Sequence, residues 1–214
     1  MTKKLSGLYV ITNENLMPET TFLGMAEAAI TSGVSVLQYR DKSSDKAKRL
    51  HQATSLKVLC DKHHVYFIIN DDIELAKQVD ADGIHIGKND LPIIETRKLI
   101  GPSKIIGVSC YNQKTLAIDA IRNGADYIAF GSFFGSSIKP DAPHASAELI
   151  PSLKLNHNTP VCCIGGITLE NQSQLLEAGT DMVAIISDIF SQPDNEKIAL
   201  RCQQYKIAFD SRRI

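Results

Sequence analysis

Short apolar runs alternate with longer amphipathic segments along almost the whole sequence. Eight of these runs have the length and the β-branched or aromatic content typical of strands, namely LYVIT, VSVLQYR, YFIIN, GIHIG, IIGVSC, YIAFG, VCCIGG and MVAIIS. Strands that are apolar on both faces and joined through helices belong in a parallel sheet. Eight such units in 214 residues predict an α/β fold, a single compact (β/α)8 barrel that spans residues 1–214 as one domain.

The segments between the runs carry the spacing of amphipathic helices. One buried helical stripe is predicted from residues that recur every three or four positions, Ala47, Leu50, Ala53, Leu56 and Cys60. Farther along, Thr168 is predicted to cap a helix over LENQSQLLEAG that ends at Gly179. An open, doubly wound sheet is the alternative architecture, but NENLMPET follows the first run in place of the glycine-rich turn of that fold.

Charge and hydropathy restrict the classes of partner. Lysine and arginine number 23 against 24 acidic residues, so no overall positive field favours nucleic acid or an acidic membrane surface. No apolar run approaches the ~20 residues that cross a bilayer, and the apolar part of MTKKLSGLYVITNENL is too short for a secretory signal. We therefore expect a cytoplasmic protein that acts on small molecules, with a homo-oligomer left open.

The five cysteines indicate neither a disulfide framework nor a zinc site, because they contain no CxxC pair. Cys162 and Cys163 are adjacent in one run and are expected to point to opposite faces of a strand. Cys110 lies near a strand end and is a candidate nucleophile, but the sequence marks no partner base for it. Reduced, partly buried thiols are the favoured interpretation.

Polar residues gather where the predicted strands end. In a (β/α)8 barrel the carboxyl ends of all strands meet on one rim, where functional residues lie. Charged, hydroxyl or glycine residues follow seven of the runs, in chain order Gln38, Arg40 and Lys42; Asn70, Asp71 and Asp72; Lys88, Asn89 and Asp90; Ser109; Ser136, Ser137 and Lys139; Gly165 and Gly166; and Ser187. A single such group has local explanations, but seven groups on one rim predict a binding site.

Asp71 and Asp90 have two interpretations, which are compatible. Each precedes a predicted helix, so each is expected to cap that helix by accepting its first backbone N–H bonds. Each is also expected to bind Mg²⁺, which uses one or two carboxylates and completes its octahedron with water and phosphate oxygens. Because Arg40 and Lys42 on the neighbouring strand neutralise anionic oxygens, this cluster predicts a magnesium-dependent diphosphate site.

A second anion site is predicted on the other side of the rim. Gly165 and Gly166 allow close backbone approach, and the helix expected after them offers its N-terminal dipole. Barrels often bind phosphate at the loops after the seventh and eighth strands, where Ser187 adds a donor. A tight turn from strand to helix explains the two glycines equally well.

From LYVIT to AIISDIF the sequence resembles the thiamine-phosphate synthase family. The resemblance rests on QYRDK, on Asn70 and Asp71, and on DGIHIGKND, GVS, FGSFFGSSIKP, IGGI and the final IS. It implies a barrel enzyme, a transferase that condenses 4-amino-2-methyl-5-hydroxymethylpyrimidine diphosphate with thiazole phosphate and releases diphosphate. It also implies Mg²⁺ and a dissociative substitution, in which Arg40, Lys42 and Lys139 act catalytically by stabilising the leaving diphosphate.

The same resemblance assigns residues to the metal and to the two substrates. Asp71 and Asp90 are implied as the Mg²⁺ ligands. The pyrimidine diphosphate is expected to contact Gln38, Tyr39, Arg40, Asp41, Lys42, Asn70, Ser109 and Lys139. The thiazole phosphate is expected to contact Ser136, Ser137, Ile138, Gly166, Ile186 and Ser187.

The loop after the sixth run departs from the family pattern. The residues from Gly135 to Lys139 stand where the family usually carries Pro-Thr-x-Thr-Lys, and Ile138 lacks the hydroxyl of the usual threonine. Lys88 also replaces a frequent glutamine. Two other functions stay open, a thiazole tautomerase, which does not need the metal pair, and a non-catalytic barrel that senses thiamine phosphate.

His85 alternates with Ile84 and Ile86 in GIHIG, so it is predicted to point into the barrel. A hydrogen-bonded core histidine is favoured over a catalytic one. Asp72 is expected to act as a helix cap or as an outer group near the metal.

Overall fold

The computed structural model describes residues 5–135 and 145–211. Within them, parallel strands form a closed barrel in which each strand pairs with the next and β8 pairs with β1. The strands are β1 Gly7–Ile11, β2 Val34–Tyr39, β3 Tyr66–Asn70, β4 Gly83–Ile86, β5 Ile105–Tyr111, β6 Tyr127–Phe130, β7 Val161–Ile164 and β8 Met182–Ile185. Every predicted run contains a strand, so the predicted (β/α)8 barrel is confirmed and the open sheet is excluded.

Helices connect the successive strands. In the described ranges they are α1 Phe22–Ile30, α2 Lys46–His63, α3 Ile73–Gln78, α4 Ile93–Ile100, α5 Lys114–Arg122, α6 Leu149–Lys154, α7 Ser173–Glu177, α8 Ser187–Phe190 and α9 Asn195–Ser211. The four-residue α8 is an additional helix that starts directly after β8. None of the described helices combines the length and the hydropathy that a membrane span needs.

The buried face of α2 differs from the predicted stripe. Ala53, Leu56 and Cys60 are buried as expected, whereas Ala47 and Leu50 are exposed. A helix turns by about 100° per residue, which places Ala47 and Leu50 well away from the face that the other three share. Each three- or four-residue step is compatible with a single helical face. Added together, however, the steps rotate the first two residues away from the buried face.

The helix predicted from Thr168 begins later than expected. α7 starts only at Ser173, and no side chain caps it. Asn171 closes a turn before the helix, since its Oδ1 accepts from the Thr168 N–H at 2.9 Å and its Nδ2 donates to the Gly166 carbonyl at 2.9 Å. The prediction that Thr168 caps this helix is therefore wrong.

Alternate side chains of the strands fill two layers, the barrel interior and the space beneath the helices. The interior layer includes Tyr9, Ile68, Tyr127, Cys162 and Met182. The outer layer includes Leu8, Val10, Leu37 and Phe67. Gly107 makes room for an interior ring, because a Cβ at this position would lie 1.9 Å from the ring of Tyr127.

Three aspartates secure the amino ends of the strands, opposite the predicted site. Asp82, Asp126 and Asp181 each directly precede an even-numbered strand. Their carboxylates accept the backbone N–H bonds of Phe67, Ile106 and Val161 at 2.7, 2.8 and 2.9 Å. Each aspartate thus ties its own strand to the preceding one, a role that concerns stability at this end of a barrel.

Candidate active site

The carboxyl ends of β2, β3 and β4 bring one cation and two carboxylates together. Lys42 lies just past β2, and its Nζ forms an ion pair with Asp71 just past β3. Asp90, beyond β4, is close enough to interact with both Asp71 and Lys42. The predicted meeting of these three side chains on one rim is thus found in the structure.

Asp71 owes its placement to an unusual backbone conformation. Its φ is +62°, in the left-handed region that aspartate and asparagine tolerate better than most residues. Its N–H donates to the carbonyl of His85 at 3.0 Å, which extends the pairing of β3 with β4 by one residue. The backbone that carries the Asp71 side chain is therefore fixed just past the end of β3.

Neither Asp71 nor Asp90 caps a helix, so that part of the prediction is wrong. The N-cap of α3 is Asp72, which accepts from the Leu75 N–H at 2.9 Å. Asp72 also forms an ion pair with Arg49 of α2 at 2.7 Å. It therefore acts as a helix cap, which is one of the two roles expected for it from the sequence. α4 follows Pro92, whose side chain offers no acceptor, and no side chain caps this helix.

Asp90 is held close to β4. Its Oδ2 accepts from the Gly87 N–H at 2.7 Å. Burial raises the pKa of Asp90 and the neighbouring Asp71 charge adds to this increase, although the Gly87 bond and Lys42 oppose it. Two carboxylates that disfavour each other's charge are a setting in which a divalent cation is stabilising.

The donor set of this cluster fits Mg²⁺ better than a metal that needs several protein ligands. Asp71 and Asp90 line one groove of about 380 Å³, together with residues of α3 and α4. Across residues 5–135 and 145–211, no group of three or more His, Cys, Asp or Glu side chains is arranged to hold a metal. Mg²⁺ often takes only one or two carboxylates and obtains its other oxygens from water and phosphate.

A continuous chain of hydrogen bonds crosses the barrel interior beside this cluster. His85 contacts the Tyr127 hydroxyl through Nδ1 at 2.9 Å and the Ser109 hydroxyl through Nε2 at 2.8 Å. Tyr127 contacts the Tyr9 hydroxyl at 2.9 Å, and Gln38 Nε2 donates to Tyr9 at 2.7 Å. Burial lowers the pKa of His85 to about 4 despite the opposing charge of Asp71, so the ring is neutral near pH 7. The expectation of a hydrogen-bonded interior histidine is confirmed.

The sequence reasoning missed Tyr9 and Tyr127 as members of the polar interior. Both lie within predicted strands, and their hydroxyls meet only because β1 and β6 face each other across the barrel. One signal was present in the sequence, since Gly107 is a small residue in a strand of larger ones. It faces the Tyr127 ring.

Strand alternation separates the residues of QYRDK. Gln38 points to the interior, whereas Tyr39 is buried under the helices, where its hydroxyl donates to Gln52 of α2 at 3.0 Å. Asp41 is also buried and binds Lys48 at 2.7 Å and the Ser43 N–H at 2.7 Å. The side chains of Tyr39 and Asp41 thus support the outer layer and do not line the interior.

Arg40 lies just past β2 and is partly exposed. Its backbone N–H bonds the Thr12 hydroxyl at 2.8 Å, which fixes the strand end. No ion pair or hydrogen bond joins the guanidinium to another side chain in the described ranges. Asn70, the last residue of β3, pairs in register with His85 and lies partly exposed near the cluster.

The glycine pair after β7 supports a neighbouring loop. The Phe134 N–H donates to the Gly165 carbonyl at 2.9 Å, and a Cβ at Gly166 would lie 2.3 Å from the Gly135 carbonyl oxygen. Gly166 also has a φ of +62°. Since α7 begins only at Ser173, no helix N-terminus follows the glycines directly, and that part of the anion-site prediction is wrong. Ser136, Ser137, Ile138 and Lys139 lie outside the described residues.

Ser187 is exposed at the first position of α8, and Ile186 is the N-cap. The next residue, Asp188, anchors this helix, since it binds Arg201 at 2.8 Å and accepts from the Tyr205 hydroxyl of α9 at 2.6 Å. Loops after the last two strands, with a short extra helix, are a recurrent phosphate site in barrels. The position expected for Ile186 and Ser187 is therefore suitable for an anion.

Cys110 does not have the surroundings of a nucleophile. Its side chain is fully buried, and its thiol contacts the Val108 carbonyl at 3.5 Å. Burial raises the pKa of Cys110 to about 12, which disfavours the reactive thiolate. The reduced, buried thiol favoured from the sequence is found for all five cysteines.

Comparison with known proteins identifies one family by sequence. The family model described as thiamine monophosphate synthase matches residues 8–189. A thiamine-phosphate synthase from Alcanivorax borkumensis is 43% identical over 210 residues, covering 98% of this chain and 97% of the relative. Another from Thioalkalivibrio sulfidiphilus is 41% identical over 199 residues, covering 93% and 94%. The solved thiamine phosphate pyrophosphorylase from Pyrococcus furiosus has a TM-score of 0.86 and 29% identity, with 97% of both chains covered.

Proposed function

The chain belongs to the thiamine monophosphate synthase family, and we propose from this premise how its rim divides two phosphorylated substrates between two sides. Like its relatives, it is a transferase of thiamine biosynthesis. It condenses hydroxymethylpyrimidine diphosphate with thiazole phosphate, giving thiamine phosphate and diphosphate. The observation that carries the residue assignment is the contact of Lys42 with Asp71 beside Asp90 on the rim.

Asp71 and Asp90 are the proposed ligands of one Mg²⁺ ion. The raised pKa of Asp90 beside Asp71 supports a cation between the carboxylates, and the lack of further acidic ligands among the described residues suits an ion that also binds diphosphate oxygens. When bound, Mg²⁺ supplies charge neutralisation at the diphosphate. The Asp71 N–H donates to the carbonyl of His85 in β4, and the Asp90 carboxylate accepts from the N–H of Gly87 just past β4, so both aspartates are held in place.

The pyrimidine diphosphate is proposed to lie over the β2 to β5 side of the rim. Arg40, Lys42 and Lys139 bind its anionic oxygens. Gln38, Asn70 and Ser109 contact the remaining substrate, since Gln38 and Ser109 end the interior hydrogen-bond chain on two different strands. The side chains of Tyr39 and Asp41 are left out of this set, because both are engaged in the outer layer.

The thiazole phosphate is proposed to lie over the β6 to β8 side. Gly166, Ile186 and Ser187 offer backbone and hydroxyl donors there, and Ser136, Ser137 and Ile138 are proposed to contact the same phosphate. The anchoring of α8 by Asp188 supports this assignment, because phosphate recognition by backbone N–H groups needs a fixed backbone.

The residues perform no covalent step in the proposed reaction. Arg40, Lys42 and Lys139 stabilise negative charge as the diphosphate departs, while the aminopyrimidine ring delocalises the positive charge left on its methylene carbon. The thiazole nitrogen then attacks that carbon and forms the new C–N bond. Rate enhancement comes from preorganised charge and from the orientation of two bound substrates. The buried, protonated state of Cys110 is consistent with a reaction that needs no protein nucleophile.

A product assay tests this function. Purified protein is mixed with both substrates and Mg²⁺, and thiamine phosphate and diphosphate are measured together. We expect both products in equal amounts. A thiazole tautomerase or a thiamine phosphate sensor would form neither, so the absence of both products would overturn the proposal. We further propose that the enzyme works in the cytoplasm as one domain, with small-molecule substrates as its partners.

A further inference from the structure

The interior hydrogen-bond chain connects two residues that are proposed to contact the pyrimidine substrate. It runs from Gln38 through Tyr9, Tyr127 and His85 to Ser109, with contacts of 2.7–2.9 Å. Its members come from β2, β1, β6, β4 and β5. Tyr9 and Tyr127 are buried, and each of their hydroxyls has two partners within this chain.

Counting hydrogens fixes the direction of the chain. Gln38 Nε2 faces Tyr9, so Tyr9 accepts from it and must give its own hydrogen to Tyr127. Tyr127 then accepts from Tyr9 and must give its hydrogen to His85 Nδ1. With Gln38 Nε2 facing Tyr9, any other arrangement leaves a buried hydroxyl hydrogen without an acceptor in this chain, which is unfavourable.

The same count fixes the histidine ring. Because Nδ1 accepts, the ring carries its proton on Nε2 and donates to Ser109 Oγ. A ring protonated on both nitrogens would donate to Tyr127 and would leave the Tyr9 hydrogen unpaired. The opposite direction requires Gln38 to turn its amide oxygen toward Tyr9, places the proton on Nδ1, and makes Ser109 donate to His85.

We propose that His85 is a positioning residue whose Nε2–H tautomer, set by Tyr127, Tyr9 and Gln38, makes Ser109 direct its hydroxyl hydrogen to the pyrimidine substrate. This inference rests on the proposed function, in which Ser109 contacts that substrate. Gly107 contributes to this arrangement, because its lack of a side chain leaves the space that the Tyr127 ring occupies. Ser109 is partly exposed, so its hydrogen has access to a ligand on the rim.

Nuclear magnetic resonance of the free protein tests the tautomer directly. Two-bond ¹H–¹⁵N correlations of uniformly labelled protein distinguish a ring protonated on Nε2 from one protonated on Nδ1, and His85→Gln assigns the signals. We expect the Nε2–H pattern in the wild type. Tyr127→Phe keeps the ring over Gly107 but deletes the donor to Nδ1, and we expect the single Nε2–H pattern to be lost.

Two matched variants separate this effect from a general loss of packing. Tyr9→Phe removes a hydroxyl one step farther away and leaves His85 Nδ1 as the one acceptor in this chain for the Tyr127 hydrogen, so the Nε2–H pattern is expected to persist. Tyr39→Phe removes a buried hydroxyl that binds Gln52 outside the interior, and its His85 signals are expected to match the wild type. An Nδ1–H pattern in the wild type would overturn the inference, whether or not the variants fold.

Kinetics test the consequence for the substrate. A neutral hydrogen bond corresponds to roughly a three- to tenfold change in an equilibrium constant. Tyr127→Phe is expected to raise KM for the pyrimidine diphosphate by about that factor and to leave KM for thiazole phosphate unchanged. Equal changes in both KM values, or none, would contradict a positioning role. If the wild type forms no product at all, the proposed function fails, and the ring spectrum still decides the tautomer.

Discussion

Aspartates occur at both ends of this barrel, and their surroundings differ. At the amino ends, Asp82, Asp126 and Asp181 each accept a backbone N–H bond from the neighbouring strand. At the carboxyl ends, Asp71 is paired with Lys42 and lies near Asp90. The carboxylates at the amino ends, here called the lower end, are hydrogen-bonded within the fold. The two at the carboxyl ends, the upper end, lie close to each other beside Lys42. Residue type is the same at both ends, so position in the barrel, and not residue type, distinguishes a structural aspartate from a proposed metal ligand.

The largest effect is expected at the upper end. Asp71→Asn or Asp90→Asn removes one charge from the proposed Mg²⁺ site, and turnover should fall on the order of 100-fold or more, because a bound metal contributes several kcal/mol. Asparagine tolerates the left-handed φ of Asp71, so folding should be preserved. Steady-state rates and thermal unfolding measure the two quantities, and EDTA should abolish wild-type activity.

Asp72→Asn is the matched control for this pair. Asp72 is adjacent to Asp71 but caps α3 and binds Arg49, and asparagine is also a good N-cap. Its turnover should stay close to the wild type. Full activity of the wild type in EDTA, or an equal loss of turnover in Asp72→Asn, would contradict the proposed metal site.

The cations proposed to bind the diphosphate should give the next largest effect. Arg40→Ala and Lys139→Ala each delete a charge that the proposal assigns to the leaving diphosphate, so the rate at saturating substrate should fall roughly 10- to 100-fold. Apparent affinity for the pyrimidine diphosphate should fall as well. If the saturated rate of both variants equals that of the wild type, these residues only dock the substrate.

At the lower end, stability should change while catalysis does not. Asp181 is buried, bonds the Val161 N–H and forms an ion pair with Lys154 at 2.6 Å. Asp181→Ala should therefore lower the free energy of unfolding by about 1–3 kcal/mol. Asp126→Ala, at an exposed position with the same type of strand bond, should cost less. Urea titration measures the stabilities, and a reduced kcat in folded Asp181→Ala would break the distinction between the two ends.

The smallest effect is expected at Ile138. A hydrogen bond to a charged group contributes roughly 1.5–3 kcal/mol when well made, and Ile138→Thr supplies a hydroxyl on a β-branched side chain. KM for thiazole phosphate should fall by a few-fold. This is less than the quoted free energy corresponds to, because a water molecule that already bonds the phosphate in the wild type reduces the gain. KM for the pyrimidine diphosphate should not change. A shift confined to the pyrimidine substrate would place this loop against the other anion.

The sequence predicted the strands well because their signal is local. Each run is apolar on both faces and ends in polar residues, and this pattern located the rim and the cluster of Lys42, Asp71 and Asp90. Helix starts were less predictable, since they depend on single contacts. Asn171 holds a turn that delays α7, and Asp72 takes the capping role expected of Asp71.

The site residues show the same division between local and distant information. Alternation along β2 already places Gln38 opposite to Tyr39, so the outward direction of Tyr39 could have been predicted. The chain through Tyr9, Tyr127 and His85 could not, because its partners are distant in sequence and meet only in the closed barrel. The glycine pair after β7 was ambiguous for a related reason, since a sequence does not reveal which backbone approaches a glycine.

A double-mutant cycle at Asp71 and Asp90 tests most directly whether the upper carboxylates share one ion. Values of kcat/KM for the pyrimidine diphosphate are compared at fixed Mg²⁺ among the wild type, Asp71→Asn, Asp90→Asn and the double variant. Once one ligand is lost, the shared ion is already weakened, so the double variant should be little worse than the more damaged single variant. Losses that multiply, so that their free energies add, would show that the two aspartates act independently and would contradict a shared metal.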